Sequence, residues 1–144
     1  MPEPVSVREI AVVAGLTRSQ ARSAVADGLI IPSALTWIDV LALRVWLPVQ
    51  SMMLAGESQP RNVVKPLKAR TREAVRVARD AASRDCLGRD AVLIVCRASA
   101  TVHVSLGVAA SKEGPGIYSE GMLLALPIGQ WWSELRWRIH GHAQ

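Results

Sequence analysis

The segment SVREIAVVAGLTRSQARSAVADGL, residues 6–29, sets the fold of the N-terminal part of the chain. Its caps and apolar positions predict two short helices joined by a tight turn. Ser6 followed by Glu9 forms a capping box, in which each side chain accepts a hydrogen bond from a backbone amide of the first turn. Gly15 suits the left-handed conformation that ends a helix, and Thr17 suits the cap of the next one.

The second helix, expected over Arg18–Asp27, carries polar side chains of the kind that read DNA. Arginine can bind guanine with two hydrogen bonds, glutamine can bind adenine, and serine can bind a base or a phosphate. Residues near the start of a recognition helix reach the bases. The candidate DNA-binding residues are therefore Thr17, Arg18, Ser19, Gln20, Arg22 and Ser23. The alternative is a solvated polar face on a small helical domain.

Residues 6–47 resemble the N-terminal domain of MerR-like DNA-binding proteins. The family's helix, Gly-hydrophobe-Ser/Thr turn and Arg-bearing recognition helix correspond to AVVAGLTRSQARSAVADGLI. Its next helix, Thr/Ser-x-x-Asp-Leu, corresponds with one shift to TWIDVLALRV at 36–45. The resemblance implies a helix-turn-helix fold that binds double-stranded DNA, with Arg22 in the place of the recognition-helix arginine. The same module also resembles phage excisionase-type proteins, which bend DNA.

The chain departs from the MerR-like pattern in three places. Ala21 and Ser23 are smaller than the leucine and aromatic residue that flank the family's arginine. Residues 32–35 are too few for a full β-wing. No long dimerisation helix with metal-ligating cysteines follows. The resemblance covers less than a third of the chain. It implies DNA binding but says little about whether the protein senses an effector.

Charge and cysteine content agree with a DNA-binding protein of the cytoplasm. The chain has 17 Lys and Arg against 12 Asp and Glu, a net charge of +5, which suits a polyanionic partner. Cys86 and Cys96 make no disulfide framework, which fits a reducing compartment. MPEPVSVRE is no signal peptide, and no apolar run approaches the roughly 20 residues of a membrane span. We expect a cytoplasmic protein without membrane contact.

The chain divides at AGESQPRN, residues 55–62, which is rich in turn formers. Before it, Thr36 with Asp39 starts a third helix that closes the core beneath the first two. Pro48 is expected to kink or end that helix. We predict a helix-turn-helix domain over 1–54, a linker over 55–62 and a second domain over 63–144.

The second domain opens with a helix expected over 63–85 that carries two stripes. One is apolar, mostly valine and alanine, and could pack on another helix or on a second copy of the chain. The other is basic and could lie along DNA phosphates. Its members are Lys65, Lys68, Arg72, Arg76 and Arg79, of which the first four are candidate DNA-binding residues. The alternative is the solvated outer face of an amphipathic helix.

Three β-branched or apolar runs and a last helix complete the predicted second domain. The strands are expected over Ala91–Cys96, Thr101–Leu106 and Gly121–Leu126. Apolar residues at helical spacing predict a helix over Pro127–His140. The fold class is therefore α+β: a three-helix N-terminal domain, a long basic helix, and a small antiparallel sheet with a C-terminal helix.

No catalytic or metal site emerges from the sequence. The residues Cys86, Cys96, His103, His140 and His142 match no zinc spacing. No phosphate loop, nucleophile elbow or carboxylate pair is present. We therefore expect a non-enzyme without metal or cofactor. Trp131, Trp132 and Trp137 could stack on bases or a ligand, although the first two fit a core or subunit interface better.

These observations predict a sequence-specific DNA-binding protein of bacterial or phage type. It would be a repressor-like transcription regulator that acts by occupying an operator. One small module binds weakly, so we expect a homodimer or tandem binding. Two alternatives stay open. One is a recombination accessory factor of the excisionase type. The other is a protein-interaction module, an antitoxin or anti-host factor, that binds its partner through residues 63–144.

Overall fold

A computed structural model describes residues 3–4, 6–54, 61–84, 87–96, 99–103 and 122–140. These residues form an α+β fold of helices and one antiparallel sheet, as predicted. In chain order the elements are α1 (Val7–Ala14), α2 (Arg18–Ala26), α3 (Ile38–Leu54), α4 (Arg61–Ser83), β1 (Val92–Cys96), β2 (Ala100–His103), β3 (Met122–Leu126) and α5 (Ile128–His140). The part of the chain described here contains no helix that is both long and apolar enough to cross a membrane.

Helices α1 and α2 form as their capping residues predict. The Ser6 hydroxyl accepts a hydrogen bond from the Glu9 amide at 3.1 Å. Gly15 ends α1 with a φ of 80°, in the left-handed region, and its amide donates to carbonyls of the last turn of α1. Because glycine has no Cβ, this sharp reversal carries little strain. The chain then turns at Leu16 and starts α2 at the Thr17 cap.

From the sequence, Leu29, Ile30 and Ile31 after α2 are expected to lead back into the core. Ile30 is buried, but the side chain of Ile31 is 60% exposed, so this expectation is wrong for Ile31. Only one of two consecutive side chains faces inward at this point, before the turn that leads to α3.

Helix α3 is the centre of the core, and α1 and α4 pack against it. The Asp39 carboxylate accepts a hydrogen bond from the Thr36 amide at 2.8 Å, which confirms the predicted start. Pro48 does not end the helix, which continues to Leu54. Proline removes one hydrogen bond and costs about 3 kcal/mol in a helix interior. Continuation past it places Val49 in the core with no exposed surface, which offsets part of that cost.

Helix α4 joins the two halves of the chain. It begins at Arg61, so the last two residues of the predicted linker are helical. Its buried face is the predicted apolar stripe, of which Thr71, Ala74, Val75, Ala78 and Ala82 are described. The helix packs on α3 and on strands β1 and β2. Buried residues from both sides of the predicted linker therefore belong to one hydrophobic cluster. The division into a DNA-binding domain and a second domain stays a prediction.

The sheet has the strand order β2-β1-β3, with both pairs antiparallel. On the central strand, Leu93 pairs with Val102 on one side and with Leu126 on the other. Residues 104–106 of the predicted second strand, and the loop expected over 107–121, lie outside the described residues. Helix α5 starts directly after β3, where the Gly129 amide donates to the Ala91 carbonyl at 3.0 Å.

Candidate nucleic-acid interface

One strip of α2 carries four of the ten predicted DNA-binding side chains. Its exposed members are Arg18, Ser19, Arg22 and Ser23. Positions one turn apart lie on the same side of a helix, so these residues share a face. On the opposite side Ala21 and Ala24 are buried against the core. The small inward residues thus hold α2 against the protein while its polar strip faces outward.

Thr17 and Gln20 form hydrogen bonds with each other at the start of α2. The Thr17 hydroxyl accepts from the Gln20 amide at 3.2 Å, and Gln20 Oε1 accepts from the Thr17 amide at 2.8 Å. Together they form a full capping box. Pairing of Gln20 with adenine requires both its amide oxygen and its amide nitrogen, so the second of these bonds would have to break. The two residues therefore fix the start of α2.

An apolar groove of about 540 Å³ runs between α1 and α2, and three arginines line it. They are Arg8 on α1 and Arg18 and Arg22 on α2. Val12, also in the groove, is 69% exposed. Among the residues described by the structure, no acidic side chain lines the groove. The exposed strip of α2 therefore lies beside an apolar groove that three arginines line, which we call the arginine groove.

Arg8 was not predicted as a site residue. From the sequence it is one polar residue in the first turn of α1, ten positions before Arg18. The turn at Gly15 brings the two helices side by side and places all three arginines around one groove. The sequence signal that could have pointed to Arg8 was the tight turn at Gly15, because such a turn brings the exposed faces of two helices together.

The structure describes the side chains of two of the four candidate DNA-binding residues of α4. Arg72 and Arg76 are exposed, as predicted, whereas the side chains of Lys65 and Lys68 lie outside the described residues. Arg79, the fifth member of the predicted stripe and not one of its candidate DNA-binding residues, uses its guanidinium to bind Asp39 and the Leu29 carbonyl.

The acidic residues of α4 pair with arginines beside the stripe. Glu73 forms a salt bridge with Arg70, and Asp80 forms one with Arg84 at 3.2 Å. These two carboxylates therefore offset part of the positive charge of α4. Neither of these two salt bridges involves Arg72 or Arg76.

A second cleft, of about 590 Å³, lies between the end of α1, α3 and α5. Arg44 from α3 lies over the ring of Trp131 from α5, with its guanidinium carbon 4.6 Å from the ring centre. Trp137 and Arg138 also line this cleft. Of the three tryptophans considered from sequence, Trp132 is buried, Trp131 is half-buried and Trp137 is 63% exposed. Arg44 was not predicted, because its neighbours come from distant elements.

No family model matches this chain, and the comparisons with curated proteins and with solved structures likewise find no match. Within the described ranges, no three His, Cys, Asp or Glu side chains are grouped so that they could hold a metal ion. Cys96 is buried, and Cys86 and His142 lie outside those ranges.

Proposed function

We propose that this chain is a sequence-specific double-stranded DNA-binding protein, and that it works in the cytoplasm as a repressor-like transcription regulator. The observation that carries the proposal is the arginine groove beside the polar strip of α2. Arg18 and Arg22 are exposed one helical turn apart, and Arg8 adds a third cation. This arrangement combines groups that read bases with charge that binds phosphates.

In the proposed complex α2 enters the major groove, which is wide enough for a helix. Arg18 and Arg22 are four residues apart, or about 6 Å along the helix axis. That separation is close to two base steps of about 3.4 Å along one strand. Arg22 would donate two hydrogen bonds to a guanine, as would Arg18 about two steps away. Ser19 and Ser23, on the same strip, would bind a base edge or a phosphate.

Phosphate binding would come from the positive charge at the edges of this surface. Arg8 lies on α1 and lines the groove beside the reading strip, where it would bind a backbone phosphate. The Thr17 cap leaves other amides of the first turn of α2 directed outward, and a helix N-terminus attracts anions. Arg72 and Arg76 on α4 would add salt-dependent affinity if DNA extends to that helix.

A single α2 helix covers few base pairs, so regulation by occupancy needs a second reading helix. We therefore propose that the protein acts as a homodimer or binds in tandem to repeated half-sites. Half-sites for a two-fold dimer would be separated by about one helical turn of DNA, 10–10.5 base pairs, or a multiple of it. Specific interfaces of this kind reach useful affinity only when modules are combined.

The test is binding of the full chain to a pool of random double-stranded DNA at low and at physiological salt, followed by sequencing of the retained molecules. The proposal predicts an enriched motif with repeated half-sites and an affinity that falls as salt rises. Retention without a motif would contradict sequence-specific reading, and no retention near physiological salt would contradict DNA binding itself. A bending assay on the selected site then separates a simple repressor from an excisionase-type factor.

A further inference from the structure

The second cleft, between α1, α3 and α5, has the size of a small-molecule site and a mixed polar and aromatic lining. Its volume of about 590 Å³ falls in the range of ligand pockets, roughly 300–1,000 Å³. We call it the Arg44 cleft. Gly15 and the last turn of α1 form one wall, α3 forms the second and α5 the third. Its charged and aromatic members are Arg44, Trp131, Glu134, Trp137 and Arg138.

The two tryptophans of the cleft have different surroundings. One face of Trp131 is covered by the Arg44 guanidinium at 4.6 Å, and this cation–π contact holds the arginine in place. Trp137 is 63% exposed at the same cleft. An exposed indole beside a positioned guanidinium offers a stacking surface next to a hydrogen-bond donor of fixed geometry.

The cleft carries more positive than negative charge. Arg44 and Arg138 face the single carboxylate of Glu134, which accepts a hydrogen bond from Gln130 Nε2 at 3.1 Å. Burial is the main cause that lowers the pKa of Arg44; Glu134 raises this pKa and Arg138 lowers it. In the described part of the chain, no salt bridge joins Arg44 to a carboxylate. Among the described residues that line the cleft, Arg44, Arg138 and Glu134 together carry one excess positive charge.

We propose that the Arg44 cleft binds a small aromatic anion, a planar ring that carries a phosphate or a carboxylate. The ring stacks on Trp137, and the anionic group accepts hydrogen bonds from Arg44 and Arg138. A guanidinium matches both anions with two parallel hydrogen bonds, so a nucleoside monophosphate and an aromatic carboxylic acid share the required chemistry. This inference concerns a surface distinct from the arginine groove and does not depend on DNA binding.

Calorimetric titration of the full chain tests the proposal with four probes. Adenosine monophosphate and indole-3-acetate each combine a ring with an anion, and they separate the phosphate from the carboxylate class. Adenosine has only the ring, and inorganic phosphate has only the charge. At least one of the first two should bind at micromolar to millimolar concentration, about tenfold or more tighter than adenosine and phosphate.

Variants of exposed residues assign any binding to the cleft. Arg138→Ala and Trp137→Ala should each weaken it about tenfold or more, since each removes one recognition element from the exposed surface of α5. Arg136→Ala is the matched control, because Arg136 is exposed on the same helix but does not line the cleft. The proposal is overturned if neither ring-bearing anion binds, or if the cleft variants bind as tightly as the control.

Discussion

The guanidinium of Arg79 lies 2.5 Å from Oδ1 of Asp39, 40 residues earlier in the chain. The other carboxylate oxygen of Asp39 accepts the Thr36 amide at the start of α3. Arg79 also donates to the carbonyl of Leu29, directly after α2. One arginine of α4 thus connects the start of α3 to the segment that ends the arginine-bearing helix pair.

Loss of Arg79 should destabilise the protein much more than loss of its exposed neighbour Arg76. The Asp39 side chain is only 5% exposed, so Arg79→Ala leaves a buried carboxylate without its cation. Allowing for the partial exposure of Arg79, we expect a decrease of about 2–3 kcal/mol in the free energy of unfolding. Arg76→Ala should change it by less than about 0.5 kcal/mol. Urea unfolding followed by circular dichroism measures both.

The same pair of variants separates structure from DNA binding on α4. If Arg79 were an exposed phosphate ligand, Arg79→Ala would leave the unfolding midpoint close to that of Arg76→Ala. An equal effect of the two substitutions on stability would therefore contradict the structural role of Arg79. A double-mutant cycle of Arg79→Ala and Asp39→Ala should give a coupling free energy of about 0.5–3 kcal/mol, because the two side chains interact directly.

Gly129, in the first turn of α5, has no room for a side chain. A Cβ at this position would overlap the carbonyl oxygen of Gly88 and lie 2.7 Å from the amide nitrogen of Ala91. Both atoms belong to backbone, so α5 would have to move away from the turn before β1. Gly129→Ala should therefore lower the free energy of unfolding by about 3 kcal/mol, at the upper end of the usual cost of overpacking.

Gly88→Ala is the control for this close approach. A Cβ on Gly88 would meet no atom within 4 Å, so the substitution should be close to neutral. Thermal unfolding of the two variants measures the difference. Similar melting temperatures for both would show that α5 does not pack against the turn at Gly88 as closely as described.

The exposed arginines of α4 should act on the salt dependence of DNA binding and not on its sequence preference. Each lysine or arginine that neutralises a phosphate adds about 1 to the slope of log affinity against log salt. Arg72→Ala and Arg76→Ala should each reduce the slope by about that amount and leave the selected motif unchanged. An unchanged slope would indicate that this face of α4 is exposed to solvent and does not bind DNA phosphates. Binding titrations at several salt concentrations measure the slope.

The N-terminal helix pair could be predicted because its signals are local. Ser6, Gly15 and Thr17 each act within one helical turn, and each forms the cap that its residue type favours. The strands of the sheet and α5 followed in the same way from short apolar patterns. Sequence alone therefore sufficed for the order and type of these elements.

Features that depend on distant partners could not be predicted. Arg79 looked like a member of a basic stripe, since nothing near it in sequence indicates a buried partner such as Asp39. The Arg44 cleft needs three helices in place before its charges meet. In each case tertiary packing determines which of several possible partners the side chain binds.

We propose that the exposed strip of α2 reads DNA, and the affinity of Arg22→Ala for the selected site tests this claim. Arg89→Ala is the control, because it removes an equal charge from an exposed turn far along the chain. Both variants should retain the wild-type circular dichroism spectrum. We predict that Arg22→Ala loses about 1–3 kcal/mol of specific binding and discriminates less at one base position, while Arg89→Ala binds like the wild type. Wild-type affinity and motif in Arg22→Ala would contradict the claim.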